Sequence, residues 1–418
     1  MKIFVVRSVL FFAAVYCFIA ANYNNTNSNL LGDNTVYSLP PIAKYVTPNG
    51  TGDHSGSSWS NAYSIEDFKM NAASNTNYYF SASVFYTGDI NLNNLNNSAL
   101  IGSVLGTPEI PTTIFVGGGE ISDTLNWSLN CIDLNNSFNI TIKNIQIKKY
   151  RWFGLRVNST SGGFIGDNTR TDTSGWAAWG APIGPPHQEI LSPGGIKLFG
   201  DNATLRNSNI RNSGWDGVQV AGYNVLIESS SIDSTGIDLP GAEHQGDGIH
   251  VFRNPDIYYE QESGLRIYKA GRLTVNNCYV STNFPKKSGI EAGFIDGAVE
   301  KPRLRVYNSY IAGGKGIGIT QSNDLANGEF YSDVQNCTIV GLDPTRRPFR
   351  IEFYDSGTKG IINSNIFICQ VGFDTTQCPV GEYDTAPTAV KYGTNTWKIG
   401  TEWQDPFCVD HNLVYVED

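Results

Sequence analysis

The sequence predicts an all-β fold, a right-handed single-stranded parallel β-helix, from three observations. The chain of 418 residues contains 44 Gly and only 2 Met and is rich in Asn, Ser and Thr, a composition that disfavours long helices. A short pattern, aliphatic-x-Asn-x-x-aliphatic, recurs along it, and a Gly-led alternating strand follows most copies. Recurring short strands of this kind bury a core only by stacking on one another, as in a solenoid.

The Asn-containing pattern has seven copies, spaced mostly by 22–31 residues. They begin at Ile142, Leu205, Ile227, Val275, Val306, Val334 and Ile361. Stacking would align one Asn-rich column as a ladder of side-chain hydrogen bonds. Its predicted members are Asn144, Asn207, Ser229, Asn277, Asn308, Asn336 and Asn363. A small-residue column follows, in which Cys278 and Cys337 lie two rungs apart, too far for a disulfide.

The Gly-led strands predict two polar columns on one outward face. The outward column reads Arg156, Lys197, Gln219, His250, Glu291, Gly318 and Arg350. The position before each Gly reads Phe153, Gly194, Asp216, Asp247, Ser288, Lys315 and Pro348. Only 16% of the residues are charged, so this clustering favours a functional face over the simpler interpretation that outward strand faces are polar.

The N-terminal segment predicts export. Residues 1–21 combine a basic start, with Lys2 and Arg7, with a short apolar run that ends in small residues, which is typical of a cleaved signal peptide. The alternative is an uncleaved anchor that leaves the protein associated with a surface. We therefore expect a secreted or extracellular protein without a stable membrane span after cleavage, and nine Asn-x-Ser/Thr sites are consistent with a glycoprotein.

The predicted organisation is a leader followed by one repeat domain. Its segments are a signal peptide (1–21), an Asn-rich leader (22–44), the β-helix (45–400) with an N-terminal cap (45–99) and loop insertions (158–193, 233–246 and 252–272), and a C-terminal cap or tail (401–418). The net charge is −10 without basic runs, so we expect no nucleic-acid partner. The oligomeric state stays open.

Over roughly residues 45–400 the chain resembles the pectin-lyase-like superfamily of right-handed β-helices. Within it, the polygalacturonase motifs resemble four segments of this chain, which are Trp215-Asp216-Gly217, Gly246-Asp247-Gly248, Lys287-Ser288-Gly289 and Arg350-Ile351-Glu352. The resemblance implies that Asp216, Asp247 and Arg350 act in glycoside hydrolysis. Gly246, Ser288 and Glu352 depart from the family pattern, which has Asp, His and Lys there.

Asp216 and Asp247 occupy equivalent positions in consecutive rungs, about 5 Å apart along the backbone. Three interpretations are open. The two carboxylates can share a proton, so that one serves as a general acid. With Glu291 they can instead hold Ca²⁺, which prefers several oxygen ligands. In the third interpretation, Asp-Gly is only a favoured turn into a strand.

A second enzyme class, β-elimination on a uronate polysaccharide, also fits the residues. It needs a base and a cation, which Lys197, His250, Lys315 and Arg350 can supply. The segment that begins YVTPNG at Tyr45 is similar to the start of β-helix polysaccharide lyases.

These candidates predict a carbohydrate-active protein that binds an extracellular, uronate-containing polysaccharide and cleaves it by lyase or hydrolase chemistry. The predicted catalytic residues are Asp216, Asp247, His250, Lys315 and Arg350, and the predicted substrate-binding residues are Lys197, Gln219, Glu291, Trp176, Trp179 and Tyr258. The cofactor is none or Ca²⁺ at Asp216, Asp247 and Glu291. The competing prediction is a non-catalytic rod or adhesin, such as a surface, filament or virion component.

Overall fold

Three long parallel sheets form the walls of the molecule in its computed structural model. The structure describes residues 42–106, 109–119, 126–175, 193–235, 246–251, 253–260, 266–282, 287–293, 298–299, 303–320, 330–343, 345, 348–352, 358–370, 380–382, 389–392, 396–399, 402–403 and 413–417. The chain visits the three sheets in turn, so each complete rung adds one strand to every sheet. This is the predicted all-β, right-handed parallel β-helix.

Each sheet pairs strands from successive rungs. The first sheet contains β1 (Ile42–Val46), β2 (Thr76–Phe80), β5 (Asn96–Ile101), β10 (Phe138–Lys143), β13 (Ile165–Asp167), β16 (Thr204–Arg206), β19 (Val225–Glu228), β24 (Arg272–Asn276), β28 (Arg303–Tyr307), β31 (Phe330–Gln335), β34 (Thr358–Asn363) and β37 (Ala389–Tyr392). The second sheet contains β3 (Val84–Tyr86), β8 (Thr113–Val116), β11 (Ile145–Lys148), β14 (Arg170–Asp172), β17 (Asn209–Arg211), β20 (Ser231–Thr235), β25 (Tyr279–Thr282), β29 (Tyr310–Gly313), β32 (Thr338–Gly341), β35 (Ile366–Gln370) and β40 (Leu413–Glu417).

The third sheet carries the predicted functional columns. It contains β4 (Ile90–Asn93), β9 (Asn130–Asn135), β12 (Phe153–Val157), β15 (Gly194–Leu198), β18 (Asp216–Val220), β21 (Ile249–Val251), β26 (Ser288–Gly293), β30 (Lys315–Thr320), β33 (Phe349–Glu352) and β36 (Val380–Glu382). The remaining elements are small sheets of β6 (Val104–Leu105) with β7 (Ile110–Pro111), of β22 (Arg253–Glu260), β23 (Arg266–Ala270) and β27 (Ala298–Val299), and of β38 (Thr396–Ile399) with β39 (Glu402–Trp403), together with helix α1 (Ile65–Asn71) and a 3-10 turn (Trp59–Asn61).

The core is a stack of inward-facing aliphatic side chains, one or more from each strand. In the third sheet, Ile196, Val218 and Ile249 lie in register and are fully buried. Towards the N-terminus aromatic rings replace the aliphatic stack, and Phe68 of α1 packs edge-on against Tyr78 at 4.8 Å and Phe80 at 5.2 Å. Because every rung buries its apolar face only against its neighbours, the strands depend on the whole stack.

Part of the Asn column forms a hydrogen-bonded ladder. The amide nitrogen of Asn168 donates to the amide oxygen of Asn144 at 3.0 Å. Both backbones have positive φ, a conformation that Asn tolerates better than most side chains, so the column turns the chain between the first and second sheets.

Two details of the predicted ladder are wrong. Asn207 donates to Asp167 and Asn308 donates to Asn276, so these two amides do not bond within the column. In the last repeat Gln335 pairs with Asn363, which places Ser364 rather than Asn363 at the turn position. Ser364 has the positive φ of 56° there.

The small-residue column satisfies buried backbone amides across rungs. The Thr169 amide donates to Ser208 Oγ at 3.2 Å, and the Ser208 amide donates to Ser230 Oγ at 3.1 Å. Cys278 and Cys337 occupy the same column two rungs apart as free, buried thiols, as predicted. Cys369 is also a free buried thiol.

The predicted segment boundaries also change. The expected insertion 158–193 contains β13 and β14, which pair into the first and second sheets. The repeat pattern missed this rung because its motif, Gly-Asp-Asn-Thr, lacks the aliphatic residues of the other copies. The expected insertion 252–272 contains the antiparallel pair β22 and β23. Strand β1 begins inside the predicted leader. The strands of the predicted cap 45–99 already belong to the parallel sheets of the β-helix.

The predicted signal peptide and almost all of the predicted leader lie outside the described residues. Within the part of the chain that the structure describes, no helix has the length and apolar character needed to cross a membrane.

We predict that Ser208→Ala lowers the free energy of unfolding by about 1–3 kcal/mol, because it leaves the buried Thr169 amide without its acceptor. Urea unfolding checks this. The control is Thr274→Ala, a substitution at a half-buried position on the first sheet, which we expect to change stability by about 0.5 kcal/mol or less. Equal losses in both variants would contradict the assigned role of the Ser column.

Candidate functional site

The third sheet places the predicted outward column in register. Lys197 pairs with Gln219, Gln219 with His250, and His250 with Glu291 on consecutive strands. Gly318 and Arg350 continue the column in the next two rungs. The column before each Gly is also in register, since the Asp247 amide donates to Asp216 Oδ1 at 2.8 Å. The sequence therefore predicted both columns correctly.

These columns are much more buried than an outward strand face was expected to be. Asp216 is 2% exposed, Asp247 4%, and Gln219 1%. Lys197 and Lys315 are also buried. A buried ionisable group costs free energy unless it is paired, and such groups accumulate where a protein uses them.

The glycines that follow the two aspartates are required by core packing. A Cβ on Gly217 would lie 2.4 Å from the side chain of Ile232, and one on Gly248 would lie 2.5 Å from Val280. The chain therefore passes close to the second sheet at this point. The Asp-Gly pattern is thus more than a turn signal, because the glycine lets Asp216 begin β18 and lets Asp247 lie two residues before β21.

Each aspartate divides its two oxygens between structure and site. Asp216 Oδ1 accepts the Asp247 amide, and Asp247 Oδ1 accepts the Ser288 amide at 2.7 Å, so both cap the following rung. Both Oδ2 atoms lie 3.5 Å from Nδ1 of His250, and Asp216 Oδ2 also accepts from Gln219 Nε2 at 3.0 Å. One oxygen or nitrogen atom from each of Asp216, Asp247 and His250 therefore lies within 4.8 Å of the other two.

Burial and neighbouring charges shift the proton equilibria of this triad. Burial, together with the negative charges of Glu291 and Asp216, raises the pKa of Asp247 to about 7 against the opposing charge of His250. Burial lowers the pKa of His250, but the hydrogen bond to Asp216 and the charges of the three surrounding carboxylates outweigh burial and raise it. Near neutral pH the triad therefore holds protons that it can exchange.

A second polar group lies one rung further along. Ser288 Oγ donates to Glu291 Oε2, and Lys315 Nζ lies 3.5 Å from the same oxygen. The sequence assigned Ser288 no role because its position holds His in the resembled motif. The predicted catalytic residue Lys315 is thus paired with Glu291 and is not in the triad.

Lys197 lies on the other side of the triad. Its Nζ is 3.9 Å from the centre of the Phe199 ring, a cation–π contact, and the next rung holds the buried ion pair of Arg156 with Asp133 at 2.7 Å. Lys197 is two rungs from His250, about 10 Å. The lysines are therefore spread along the column, and His250 is the predicted base that meets the carboxylates.

All the predicted site roles remain predictions, and for four of these residues the structure describes no side chain. Trp176 and Trp179 lie outside the described residues. Tyr258 is on β22 and Arg350 is on β33, in register with Gly318, but their side chains are not among those described.

The predicted Ca²⁺ ligands do not come together as one oxygen-rich set. Glu291 is held by Ser288 and Lys315, while an imidazole lies with the two aspartates. Ca²⁺ takes six to eight oxygen ligands, whereas two carboxylates and a histidine are ligands that transition-metal ions accept. The described residues therefore fit Ca²⁺ poorly.

Comparison with known proteins agrees with the fold. A family model described as a right-handed β-helix region matches residues 194–377. Similar solved structures include pectate lyase Pel9A (11% identity, TM-score 0.45, covering 87% of this chain and 81% of that one) and an exopolygalacturonase from Thermotoga maritima (10%, 0.45, covering 71% and 76%). Another is PfbA, a surface adhesin of Streptococcus pneumoniae (14%, 0.32, covering 69% and 81%). At these identities and TM-scores the similarity does not bear on activity, and no curated protein matches significantly.

The three parallel sheets and the family-model match over residues 194–377 therefore confirm the predicted right-handed parallel β-helix fold.

We predict that Gly217→Ala destabilises the protein by about 1–3 kcal/mol, since the added methyl group overpacks the contact with Ile232. The measurement is the midpoint of thermal or urea unfolding. The contrasting variant is Gly106→Ala, where an added Cβ would meet nothing within 4 Å and only the positive φ of 74° strains the new side chain. In an Ile232→Ala background, which lacks the Cγ2 that the methyl group meets, Gly217→Ala should cost less than in wild type, and an equal cost in both backgrounds would contradict the packing explanation.

We also predict a pH-dependent contribution to stability from Asp247. Its folded pKa of about 7 exceeds the ordinary value of 3.8, so the folded state binds more protons and loses this stabilisation as pH rises from about 4 to about 7. His250 acts in the same direction because its pKa is also raised. The free energy of unfolding of wild type minus that of Asp247→Asn should therefore fall between pH 4 and pH 8. A difference independent of pH would contradict the prediction.

Proposed function

We propose that this β-helix is a secreted, carbohydrate-active protein that cleaves a polysaccharide by hydrolysis at the triad of Asp216, Asp247 and His250. The observation that carries the proposal is the convergence of these three side chains around one point of the third sheet. A structural cap needs only the Oδ1 atoms of the aspartates. The arrangement of both Oδ2 atoms around His250 is left unexplained by the fold alone.

Asp247 is the general acid in this proposal. Hydrolysis of a glycosidic bond needs one group that protonates the leaving oxygen and a second carboxylate that supports the attack at the sugar carbon. A pKa of about 7 leaves Asp247 partly protonated near neutral pH, which suits the first role. Asp216 then has the second role.

His250 is the member of the triad that substrate would meet first. Its side chain is 21% exposed, against 3% for Asp216 and 6% for Asp247. We assign it the contact with the sugar and the exchange of the proton with Asp247. On the next rung the half-buried Glu291 offers a polar contact to a further sugar unit, while the buried Gln219 supports Asp216 from the other side.

The second candidate function is the non-catalytic rod or adhesin. The observation in its favour is that Asp216 and Asp247 each hold the backbone of the next rung through Oδ1. On this hypothesis the carboxylates are structural, and the signal-like segment delivers a binding protein to the cell surface.

We expect Asp216→Asn and Asp247→Asn each to lower the turnover number at least about 100-fold, because Asn keeps the Oδ1 acceptor but removes the carboxylate. The assay presents polyuronides and neutral glycans with Ca²⁺, without it and with a chelator, and records both new reducing ends and absorbance of unsaturated uronates. The matched control is Asp133→Asn, another buried carboxylate of the third sheet, three rungs away.

Each outcome separates the hypotheses. Reducing ends without unsaturated products support hydrolysis, while unsaturated products assign the chemistry to a lyase and overturn our proposal. Loss of activity on chelation assigns a metal to the triad. No activity above the Asp216→Asn/Asp247→Asn double variant across the panel favours the rod or adhesin.

A further inference from the structure

A cationic pocket lies on the second sheet, away from the triad. It has a volume of about 190 Å³ and is lined by Gln146, Arg170, Thr171, Asp172, Asn209 and Arg211. Gln146, Arg170 and Asn209 lie in register on β11, β14 and β17, one per rung. Arg170 therefore has an amide side chain on each side of it.

The strands around this pocket carry an excess of positive charge in a chain whose net charge is −10. The six strands β10, β11, β13, β14, β16 and β17 contain five cations and two carboxylates, namely Lys143, Lys148, Arg170, Arg206 and Arg211 with Asp167 and Asp172. An anionic partner is thus favoured at this point of an otherwise acidic molecule.

Both carboxylates are already engaged. Asp167 pairs with Lys143 at 3.7 Å and Arg206 at 3.2 Å. Asp172 accepts from Arg211 Nε at 3.2 Å and from a terminal guanidinium nitrogen at 2.9 Å. The positive charge of Arg211 is therefore balanced within the pocket wall.

The positive charge of Arg170 is not balanced in this way. Its guanidinium donates to the Glu109 carbonyl oxygen at 3.2 Å, and no carboxylate of the described residues lies within ion-pair distance of it. Burial lowers the pKa of Arg170, and the charge of Arg211 lowers it further, so the site disfavours an uncompensated cation. An anion in the pocket would remove that cost.

We propose that this pocket binds the carboxylate group of an acidic sugar, with Arg170 as the ionic contact and Gln146 and Asn209 as neutral donors on either side. The planar guanidinium matches the two oxygens of a carboxylate, and the flanking amides are one rung away on each side. A pocket of this volume holds a single charged group rather than a polymer, so the rest of the chain would run along the sheet.

The same column continues into an aromatic surface. Asn209 is followed in register by Ser231, Tyr279 and Tyr310, and the two Tyr rings stack at 5.0 Å with an interplanar angle of 2°. Tyr279 is 37% exposed. Aromatic side chains with a polar tip are suited to a wet binding surface, so a glycan anchored at Arg170 has a continuous track across four rungs.

In this proposal the pocket holds the polymer and does not cleave it. The inference rests on the proposed function only in taking a polysaccharide as the ligand. Its test therefore uses the inactive Asp216→Asn/Asp247→Asn double variant and measures binding by calorimetry. The probe is an unesterified galacturonate oligosaccharide, and the matched neutral probe is the same oligosaccharide with its carboxylates methyl-esterified.

In this background we expect Arg170→Ala to weaken binding of the acidic probe about tenfold or more, the effect of losing one charged hydrogen-bond donor. Arg170→Lys should weaken it less, because the charge remains but the planar fork is lost. The control Arg206→Ala removes the same charge from the neighbouring Asp167 pair, outside the pocket, and should change the dissociation constant by about twofold at most.

If Arg170→Ala and Arg206→Ala weaken binding of the acidic probe equally, the effect comes from the overall charge of the surface, and the inference is overturned. Equal binding of the acidic and esterified probes would also overturn it. If the protein instead lacks polysaccharide-cleaving activity but loses binding through Arg170→Ala alone, the pocket stands and the proposed hydrolysis fails. Conversely, an active enzyme whose binding ignores Arg170 keeps the triad and loses the pocket.

Discussion

The in-register parallel pairing between rungs is the constraint on which the rest of this molecule depends. Because each rung lies directly on the previous one, a residue type placed once per repeat becomes a continuous column about 4.8 Å per step. Aliphatic columns fill the core, and the Ser column supplies acceptors to buried amides. Polar columns form the surface of the third sheet that holds the candidate site in the same way.

Asp216 and Asp247 show how structural and functional demands can be met by one side chain. One oxygen of each holds the next rung, and the other faces His250. The glycine after each aspartate lets the strand approach the second sheet closely, which places the carboxylates in a buried setting. Burial then raises the pKa of Asp247, so a packing requirement produces the acid that the proposed chemistry needs.

The two candidate sites use the solenoid differently. On the third sheet the ionisable groups are buried and mutually paired, an arrangement suited to proton transfer. On the second sheet Arg170 is half-buried and faces a small pocket beside paired charges, an arrangement suited to holding an anion. Because the sheets share every rung, a long polymer could be held by one while it reacts at the other.

The sequence by itself determined the fold, the strand columns and the residues of the triad, because a repeat fixes which residues align once the rungs stack. It could not show that Asp216 and Asp247 are buried or that His250 lies between their Oδ2 atoms, since these depend on side-chain directions within the stack. The rung at β13 and β14 was missed because its aliphatic pattern is incomplete. Only the tertiary structure, which pairs those strands with their neighbours, brought Arg170 into a pocket.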